Sequence, residues 1–202
     1  MKLYYSPGAC SLAPHIALRE AGQSFELVKV DLASKKTAGG DDYTRINPKG
    51  YVPTLVSDDG EVLTEIAAVL QYIADQNPAA ELAPPAGTMA RYHLMEWLNF
   101  IGTEIHKTLG ALFNPAITPE WKAGQLATFG KRSDFLAAQL GDKAYLMGAQ
   151  FSVADAYLFT VLGWTRLHGV DMSQWPALGR YMERLGERPA VVQAMRAEGL
   201  SD

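Results

Sequence analysis

The sequence predicts an α/β domain at the N-terminal end followed by a domain built of helices alone. Short strand-like and helix-like stretches alternate up to about residue 76, and three prolines then break all periodicity in residues 77–88. No strand pattern follows this segment. We therefore predict an N-terminal domain at residues 1–78, a linker at 79–88 and a helical domain at 89–202.

The first elements predict a βαβ unit. Lys2 to Tyr5 is a short strand, and Ser11 to Ala21 has helical spacing and is followed by Gly22 as a stop signal. Phe25 to Val30 alternates apolar and polar residues, as a second strand does. Because a helix connects them, the two strands are expected to be parallel.

A hairpin and a second helix complete the first domain. The turn sequence Asp58-Asp59-Gly60 separates the strands Thr54 to Ser57 and Val62 to Thr64. The helix is predicted from Ile66 to Gln76. Helices of the second domain are predicted at residues 90–113, 119–140, 153–168, 176–187 and 189–197.

Composition narrows the functional classes. The 202 residues carry 22 acidic and 18 basic side chains, interspersed, for a net charge of −4, which does not indicate a nucleic-acid or anionic-membrane surface. No apolar run reaches the roughly 18 residues of a membrane span, and no metal-ligand motif is found. The single cysteine excludes an internal disulfide. We expect a cytoplasmic protein that binds a small molecule.

The cysteine is the first candidate for chemistry. Cys10 stands in SPGACSLAPH, where a loop passes into a helix. Unpaired N–H groups at a helix N-terminus favour a thiolate, so we expect a reactive thiol of low pKa. A buried small residue is the alternative reading.

Several motifs in order resemble the glutathione transferases along the whole chain. They are YSPGACS, NPKGYVP, a glutamate before the second helix, WLNFIGTEIHK and SVADAYLF, and together they resemble the bacterial beta class. The resemblance implies a thioredoxin-like first domain, glutathione as co-substrate with no tightly bound cofactor, and a homodimer. It also implies a small hydrophobic electrophile bound between the domains.

In that family the residues matching Cys10 and His106 lie near the glutathione sulfur. Since Cys10 has no second thiol nearby, a mixed disulfide with glutathione is expected. A cationic or hydrogen-bond-donating His106 would favour a thiolate. A structural or solvated histidine is the alternative.

Backbone groups are expected to hold the rest of glutathione. The resemblance implies a cis bond between Val52 and Pro53, with the Val52 backbone pairing with the cysteinyl residue of the ligand. Glu65 and the N–H of Ile66 would receive the γ-glutamyl group at the start of the second helix. Ile66 lacks the hydroxyl that many members carry here, and Glu65 has helix capping as its alternative role.

Further candidates have weaker support. Lys35 matches a residue that meets the glycine carboxylate, although a solvated lysine beside Lys36 is the alternative. Tyr5 and Ser11 stand near the position where other classes of the family activate the thiol with a tyrosine or a serine. We rank both below Cys10, because Tyr5 is expected to pack at the end of the first strand and Ser11 to cap the helix or donate to the ligand sulfur. The last candidates are four residues of the helix predicted at 90–113: Asn99, Thr103, Glu104 and Lys107. The first three are also candidates for the site of the neighbouring subunit.

One motif indicates folding rather than chemistry. Ser152 and Asp155 have the spacing of a capping box that leads into the most apolar helix. We expect Asp155 to be buried and hydrogen-bonded.

Three functions remain open at this point. The first is conjugation of glutathione to hydrophobic electrophiles, with cysteine-dependent redox activity. The second is a thiol transferase, peroxidase or reductive dehalogenase that depends on glutathione. The third is a non-catalytic ligand-binding or regulatory protein, because a fold does not dictate function.

Overall fold

The computed structural model describes residues 1–201, which form two compact units. One unit contains residues 1–83 and 188–201, and the other contains residues 84–187. The predicted helical domain at 89–202 differs from this division at its C-terminal end. The last helix, Pro189–Ala197, belongs to the first unit because it packs on the first helix, Leu12–Glu20. The side chain of Arg188 reinforces this contact by donating two hydrogen bonds to the Glu20 carboxylate, at 2.6 and 2.9 Å.

A five-stranded sheet forms the centre of the first unit. The described strands are β1 Lys2–Tyr5, β2 Glu26–Asp31, β3 Lys36–Thr37, β4 Thr54–Val56 and β5 Val62–Thr64. Their order in the sheet is β3-β2-β1-β4-β5. Strand β1 is parallel to β2 and antiparallel to β4, which confirms the predicted βαβ unit and hairpin. The two-residue β3 was not predicted, since so short a strand has no readable alternation.

Helices cover the sheet with apolar side chains. Helix α1 (Leu12–Glu20) packs against α2 (Ile66–Gln76), whose bounds match the prediction. Between β3 and β4 the chain makes a short 3₁₀ turn and then reaches the Val52–Pro53 peptide. This peptide is cis, as predicted.

The second unit is helical. Its α-helices among the described residues are α3 Met89–Phe100, α4 Lys107–Ala111, α5 Pro119–Leu140, α6 Val153–Gly163 and α7 Pro176–Gly186; the last helix of the chain, in the first unit, is α8. Two predictions of length were wrong. A π-helical segment, Ile101–His106, divides the helix expected at residues 90–113, and α6 ends at Gly163, where a 3₁₀ turn replaces its expected extension to 168.

Asp155 holds the start of α6 in the manner expected from the sequence. Its side chain is 0 % exposed. One carboxylate oxygen accepts hydrogen bonds from the N–H and hydroxyl of Ser152, both at 2.8 Å, and the other accepts from the Leu146 N–H and the Tyr181 hydroxyl, both at 2.8 Å. The predicted capping box is confirmed. No helix among residues 1–201 combines the length and apolar character needed to cross a membrane.

Candidate active site

The Cys10 thiol lies just before α1 and points at the cis-proline loop. Its S–H donates to the Val52 carbonyl at 3.2 Å. Burial raises the pKa of this thiol to about 12, and the N–H groups of Cys10 and Ser11, which lower it, do not compensate. The negative charge of Glu65 raises the pKa further. The expectation of a low pKa was therefore wrong for the ligand-free protein, because loss of water around the sulfur outweighs the helix N-terminus.

A chain of hydrogen bonds that is buried at His15 and Glu198 anchors the loop that carries Cys10. The N–H of Gly8 donates to one carboxylate oxygen of Glu198 at 2.9 Å, and the other oxygen accepts from Nδ1 of His15 at 2.8 Å. Arg19 donates to Nε2 of His15 at 2.9 Å, which leaves the histidine proton on Nδ1. His15 and Arg19 of α1, together with Glu198 of the C-terminal segment, thus hold the loop in place through hydrogen bonds.

Val52 offers a backbone donor beside the thiol. Its carbonyl accepts from Cys10, and its N–H has no hydrogen-bond partner among residues 1–201. The neighbouring Tyr51 side chain is 69 % exposed, whereas the Val52 side chain is buried. An extended peptide could pair with such an unused N–H group.

Glu65 precedes α2 in an unusual backbone conformation. Its φ of 71° lies in the left-handed region, which a non-glycine residue adopts only when its surroundings enforce it. The Glu65 carboxylate accepts from Nζ of Lys49 at 2.5 Å, and the same ammonium donates to the Thr64 hydroxyl at 3.0 Å. The N–H of Ile66, at the first position of α2, has no partner among residues 1–201. Glu65 and Ile66 thus place a carboxylate and an unpartnered N–H donor on adjacent residues at the start of α2.

Sequence reasoning missed Lys49. The signal was present in NPKGYVP, the loop that leads to the cis-proline, where this lysine stands between Asn47 and Val52. Only the fold shows that it reaches Glu65, sixteen residues away.

Lys35 is tied to the same loop. Its ammonium donates to the Gly50 carbonyl at 2.9 Å, and its backbone has a φ of 56°. The alternative of a solvated lysine does not fit this contact. The position of Lys35 is set by the backbone, because its own carbonyl accepts the Tyr43 N–H at 2.8 Å.

Tyr5 and Ser11 lie in the interior. Tyr5 is 8 % exposed and contacts the His15 ring, which fits the packing alternative, and burial raises the pKa of its hydroxyl. The Ser11 hydroxyl bonds to the N–H and carbonyl of Ser6 at 3.2 and 3.3 Å and makes no cap bond to α1. The predicted cap at Ser11 was wrong, because the tight turn at residues 6–11 uses the hydroxyl instead.

In the helical unit, His106 is partly buried between aromatic rings. Its Nδ1 lies 2.7 Å from the Tyr157 hydroxyl, and the Trp164 ring stands edge-on at 4.9 Å between centroids. Burial, with a smaller contribution from the charge of Lys107, lowers the pKa of His106 to about 4. A cationic His106 is therefore the wrong expectation, whereas a neutral ring that donates one hydrogen bond remains consistent with the geometry.

The other helical candidates lie on or near the π-helical segment. The Thr103 hydroxyl donates to the Asn99 carbonyl at 3.0 Å, and both residues are exposed, as is Lys107. Glu104 is half-buried and accepts from Arg132 at 2.7 Å, so its charge already has a partner within the unit.

The structure thus gathers one group of candidates in the first unit. Cys10, Val52, Pro53, Glu65 and Ile66 share the region of the α1 and α2 N-termini, with Lys35 attached to the connecting loop. Within residues 1–201, no cluster of three or more His, Cys, Asp and Glu side chains is arranged to hold a metal ion.

Two family domains match this chain. The domain described as "Glutathione S-transferase, N-terminal domain" matches residues 8–76, and the corresponding C-terminal domain matches residues 119–184. These ranges include the Cys10 loop, the cis-proline and the start of α2, as well as α6 with its cap.

Known proteins of similar sequence and structure agree with these matches. Glutathione S-transferase GstA of Escherichia coli O157:H7 is 46% identical over 99% of this chain and 100% of its own length. The bacterial transferase BphK, solved as a ternary complex, is 58% identical with a TM-score of 0.98 over 99% of this chain and 100% of that chain.

Two further solved structures carry the class assignment. A sphingomonad glutathione S-transferase in complex with glutathione and a bacterial beta class enzyme of Sphingomonas chungbukensis each show 51% identity and a TM-score of 0.96, with full coverage of both chains. The shared domains, the cis-proline loop and the cysteine before α1 lead to one conclusion: this chain belongs to the glutathione S-transferase family and, within it, to the bacterial beta class.

Proposed function

We propose that the first unit binds glutathione and that the protein transfers its thiol to a hydrophobic electrophile. The observation that supports this proposal is a set of groups at one edge of the unit. The N–H groups of Val52 and Ile66 have no partner among residues 1–201, and the Glu65 carboxylate, which accepts from Lys49, is mostly exposed. The two N–H groups suit the cysteinyl carbonyl and the γ-glutamyl carboxylate, and Glu65 suits the ammonium. The glutathione complex of the sphingomonad relative supports this assignment.

In this proposal the glutathione sulfur is the nucleophile. Its thiolate forms the new S–C bond, the leaving group departs with the electron pair, and the thiol proton passes to solvent. Cys10, whose pKa is raised to about 12, stays protonated and can turn its S–H from the Val52 carbonyl to the ligand thiolate. On the family resemblance alone, we propose His106 as a neutral hydrogen-bond donor in the reaction and Asn99, Thr103, Glu104 and Lys107 as supporting residues.

The lone thiol favours a second candidate, thiol–disulfide exchange. A thiolate at Cys10 would attack a mixed disulfide of glutathione and a substrate thiol, take up the glutathionyl group and release the substrate thiolate. A second glutathione thiolate would then attack the Cys10–glutathione disulfide, which releases the Cys10 thiolate and forms oxidised glutathione. The raised pKa makes this reaction slow unless ligand binding lowers it. We therefore rank conjugation first and redox exchange second.

One pair of assays separates these functions. Wild-type protein and Cys10→Ala are compared in conjugation of glutathione to chlorodinitrobenzene and in reduction of hydroxyethyl disulfide. Conjugation that persists in the variant, with loss of disulfide reduction, supports the proposal. If the variant still binds glutathione but loses both activities, conjugation depends on Cys10 and the assignment of glutathione alone as the nucleophile fails. If calorimetry detects no glutathione binding to the wild type, the proposal fails and a non-catalytic role replaces it.

We also propose a homodimer that acts in the cytoplasm. Helix α3 exposes large apolar side chains three residues apart, with Met89 68 % and Tyr92 56 % exposed, and an exposed apolar stripe of this kind favours association. The single cysteine suits a reducing compartment. Expression of a tagged protein followed by fractionation would test the location.

A further inference from the structure

Three buried polar side chains lie under the peptide group that joins Tyr51 to Val52. They are Tyr43 and Thr54, both 0 % exposed, and Asn47, which is 2 % exposed. The Tyr43 hydroxyl is 2.7 Å from the Tyr51 carbonyl oxygen and 2.6 Å from the Thr54 hydroxyl. The Asn47 amide nitrogen is 2.8 Å from the same carbonyl and 3.0 Å from the same hydroxyl.

The proton directions in this cluster follow from its donors and acceptors. The Tyr51 carbonyl can only accept, so Tyr43 and Asn47 both donate to it. Because Tyr43 already donates its single hydroxyl proton to the Tyr51 carbonyl, the Thr54 hydroxyl donates to Tyr43 and accepts from Asn47. The remaining Asn47 oxygen accepts the Lys49 N–H at 3.1 Å. All of these hydrogen bonds can form at once, which makes the arrangement rigid.

This cluster determines where the Val52 N–H points. The peptide between Tyr51 and Val52 is trans, since the cis bond follows Val52, and a planar trans peptide directs its C=O and N–H to opposite sides. Two donors hold the Tyr51 carbonyl toward the interior. The Val52 N–H is therefore turned away from the interior, where it has no partner among residues 1–201.

We propose that Tyr43, Asn47 and Thr54 are positioning residues that aim the Val52 N–H at the cysteinyl carbonyl of glutathione. This inference rests on the proposed function and deepens it, because it says which buried groups set the affinity of the first unit. None of the three side chains touches the ligand. They act through the peptide group between Tyr51 and Val52, and they affect only the contact with the cysteinyl carbonyl oxygen of glutathione.

The test combines three variants with two ligands. Tyr43→Phe removes a donor to the Tyr51 carbonyl, Thr54→Val removes the hydroxyl that orients Tyr43, and Thr54→Ser keeps that hydroxyl as the matched control. Calorimetry measures the Kd of glutathione and of an analogue in which a methylene replaces the cysteinyl carbonyl. The urea midpoint of each variant is measured in parallel.

We expect Tyr43→Phe to weaken glutathione binding about tenfold and Thr54→Val severalfold, as loss of one hydrogen bond predicts. Thr54→Ser should bind like the wild type, and kcat at saturating glutathione should change less than the Kd. With the methylene analogue, which cannot accept from Val52, all four proteins should bind alike. If Tyr43→Phe does not fold, the two Thr54 variants carry the test.

Two results would overturn the inference. Equal weakening of both ligands would mean that the cluster only maintains the loop, and unchanged glutathione affinity in Tyr43→Phe and Thr54→Val would mean that it does not control the Val52 N–H. Failure of the proposed function gives a different result, because the wild-type protein itself would then not bind glutathione.

Discussion

At the residue scale, Lys49 competes with the proposed ligand ammonium for the Glu65 carboxylate. The Lys49 ammonium lies 2.5 Å from the Glu65 carboxylate, the group to which we assign the glutathione ammonium. The side chains are 49 % and 70 % exposed, so the pair contributes little to folding stability, and its importance is for binding. A ligand ammonium must share or displace Lys49.

Lys49→Met should therefore bind glutathione more tightly, by about twofold to fivefold at low salt, because the freed carboxylate pairs with the ligand alone. Calorimetry at two salt concentrations measures this. Lys36→Met, which removes an exposed charge of the same sign from β3, is the matched control and should bind as the wild type does. Weaker binding in Lys49→Met would show instead that Lys49 contacts the ligand.

Cys10 should react slowly in the ligand-free protein. A pKa raised from 9.0 to about 12 lowers the thiolate fraction about a thousandfold at neutral pH, since each pKa unit is a factor of ten. Intact-mass spectrometry during iodoacetamide treatment at pH 7 should show an adduct forming far more slowly than on free cysteine. Alkylation at the rate of free cysteine would contradict a partly buried, protonated thiol.

His106 should make stability depend on pH in a defined range. Its pKa falls from 6.5 to about 4 on folding, so the unfolded chain binds more protons between these values, and stability rises with pH there. The contribution of the neutral His106 ring to the free energy of unfolding is complete above pH 6.5 and is lost as the pH falls toward 4. Urea unfolding at pH 7 and 4.5 should show a larger loss for the wild type than for His106→Gln, and parallel losses would refute this.

At the element scale, the start of α6 depends on the Asp155 carboxylate, which accepts hydrogen bonds from four donor groups. A local motif, Ser152 with Asp155, supplies the cap, while Leu146 and Tyr181 come from other elements. The capping box was therefore predictable, whereas the bond from Tyr181 was not. The π-helical segment is also an element-scale feature, and the apolar spacing of residues 90–113 gave no sign of it.

Asp155→Ala should destabilise the protein by at least about 3 kcal/mol, because it leaves two buried N–H groups without acceptors. Asp171→Ala removes an exposed cap, the bond from the Ser173 N–H, and should cost only about 1 kcal/mol. Urea denaturation of both variants gives the comparison. Equal losses, or a folded Asp155→Ala that no longer binds glutathione, would contradict a structural role for Asp155.

At the scale of the whole molecule, the proposed homodimer has a direct test. Light scattering at micromolar concentration should give a mass of about twice the 22.0 kDa chain. Met89→Lys with Tyr92→Glu should shift the mass toward one chain, since charges on the apolar stripe of α3 oppose its burial. A wild-type mass near a single chain would exclude the dimer.

The sequence by itself determined most of the elements and the family. The bounds of β1, α2 and α5, the turn at Asp58-Asp59-Gly60 and the cap at Asp155 depend on residues within a few positions of one another, and such local patterns can be read directly. The motif around Cys10 identified the candidate thiol for the same reason.

Tertiary structure alone decided the chemistry of those residues. Burial, which depends on contacts between distant parts of the chain, raises the pKa of Cys10 and lowers that of His106. Long-range pairing also decided that α8 joins the first unit and that Lys49 meets Glu65. Desolvation and pairing across 42 residues, as between Cys10 and Val52, have no signature in local sequence, because they exist only once the chain has folded.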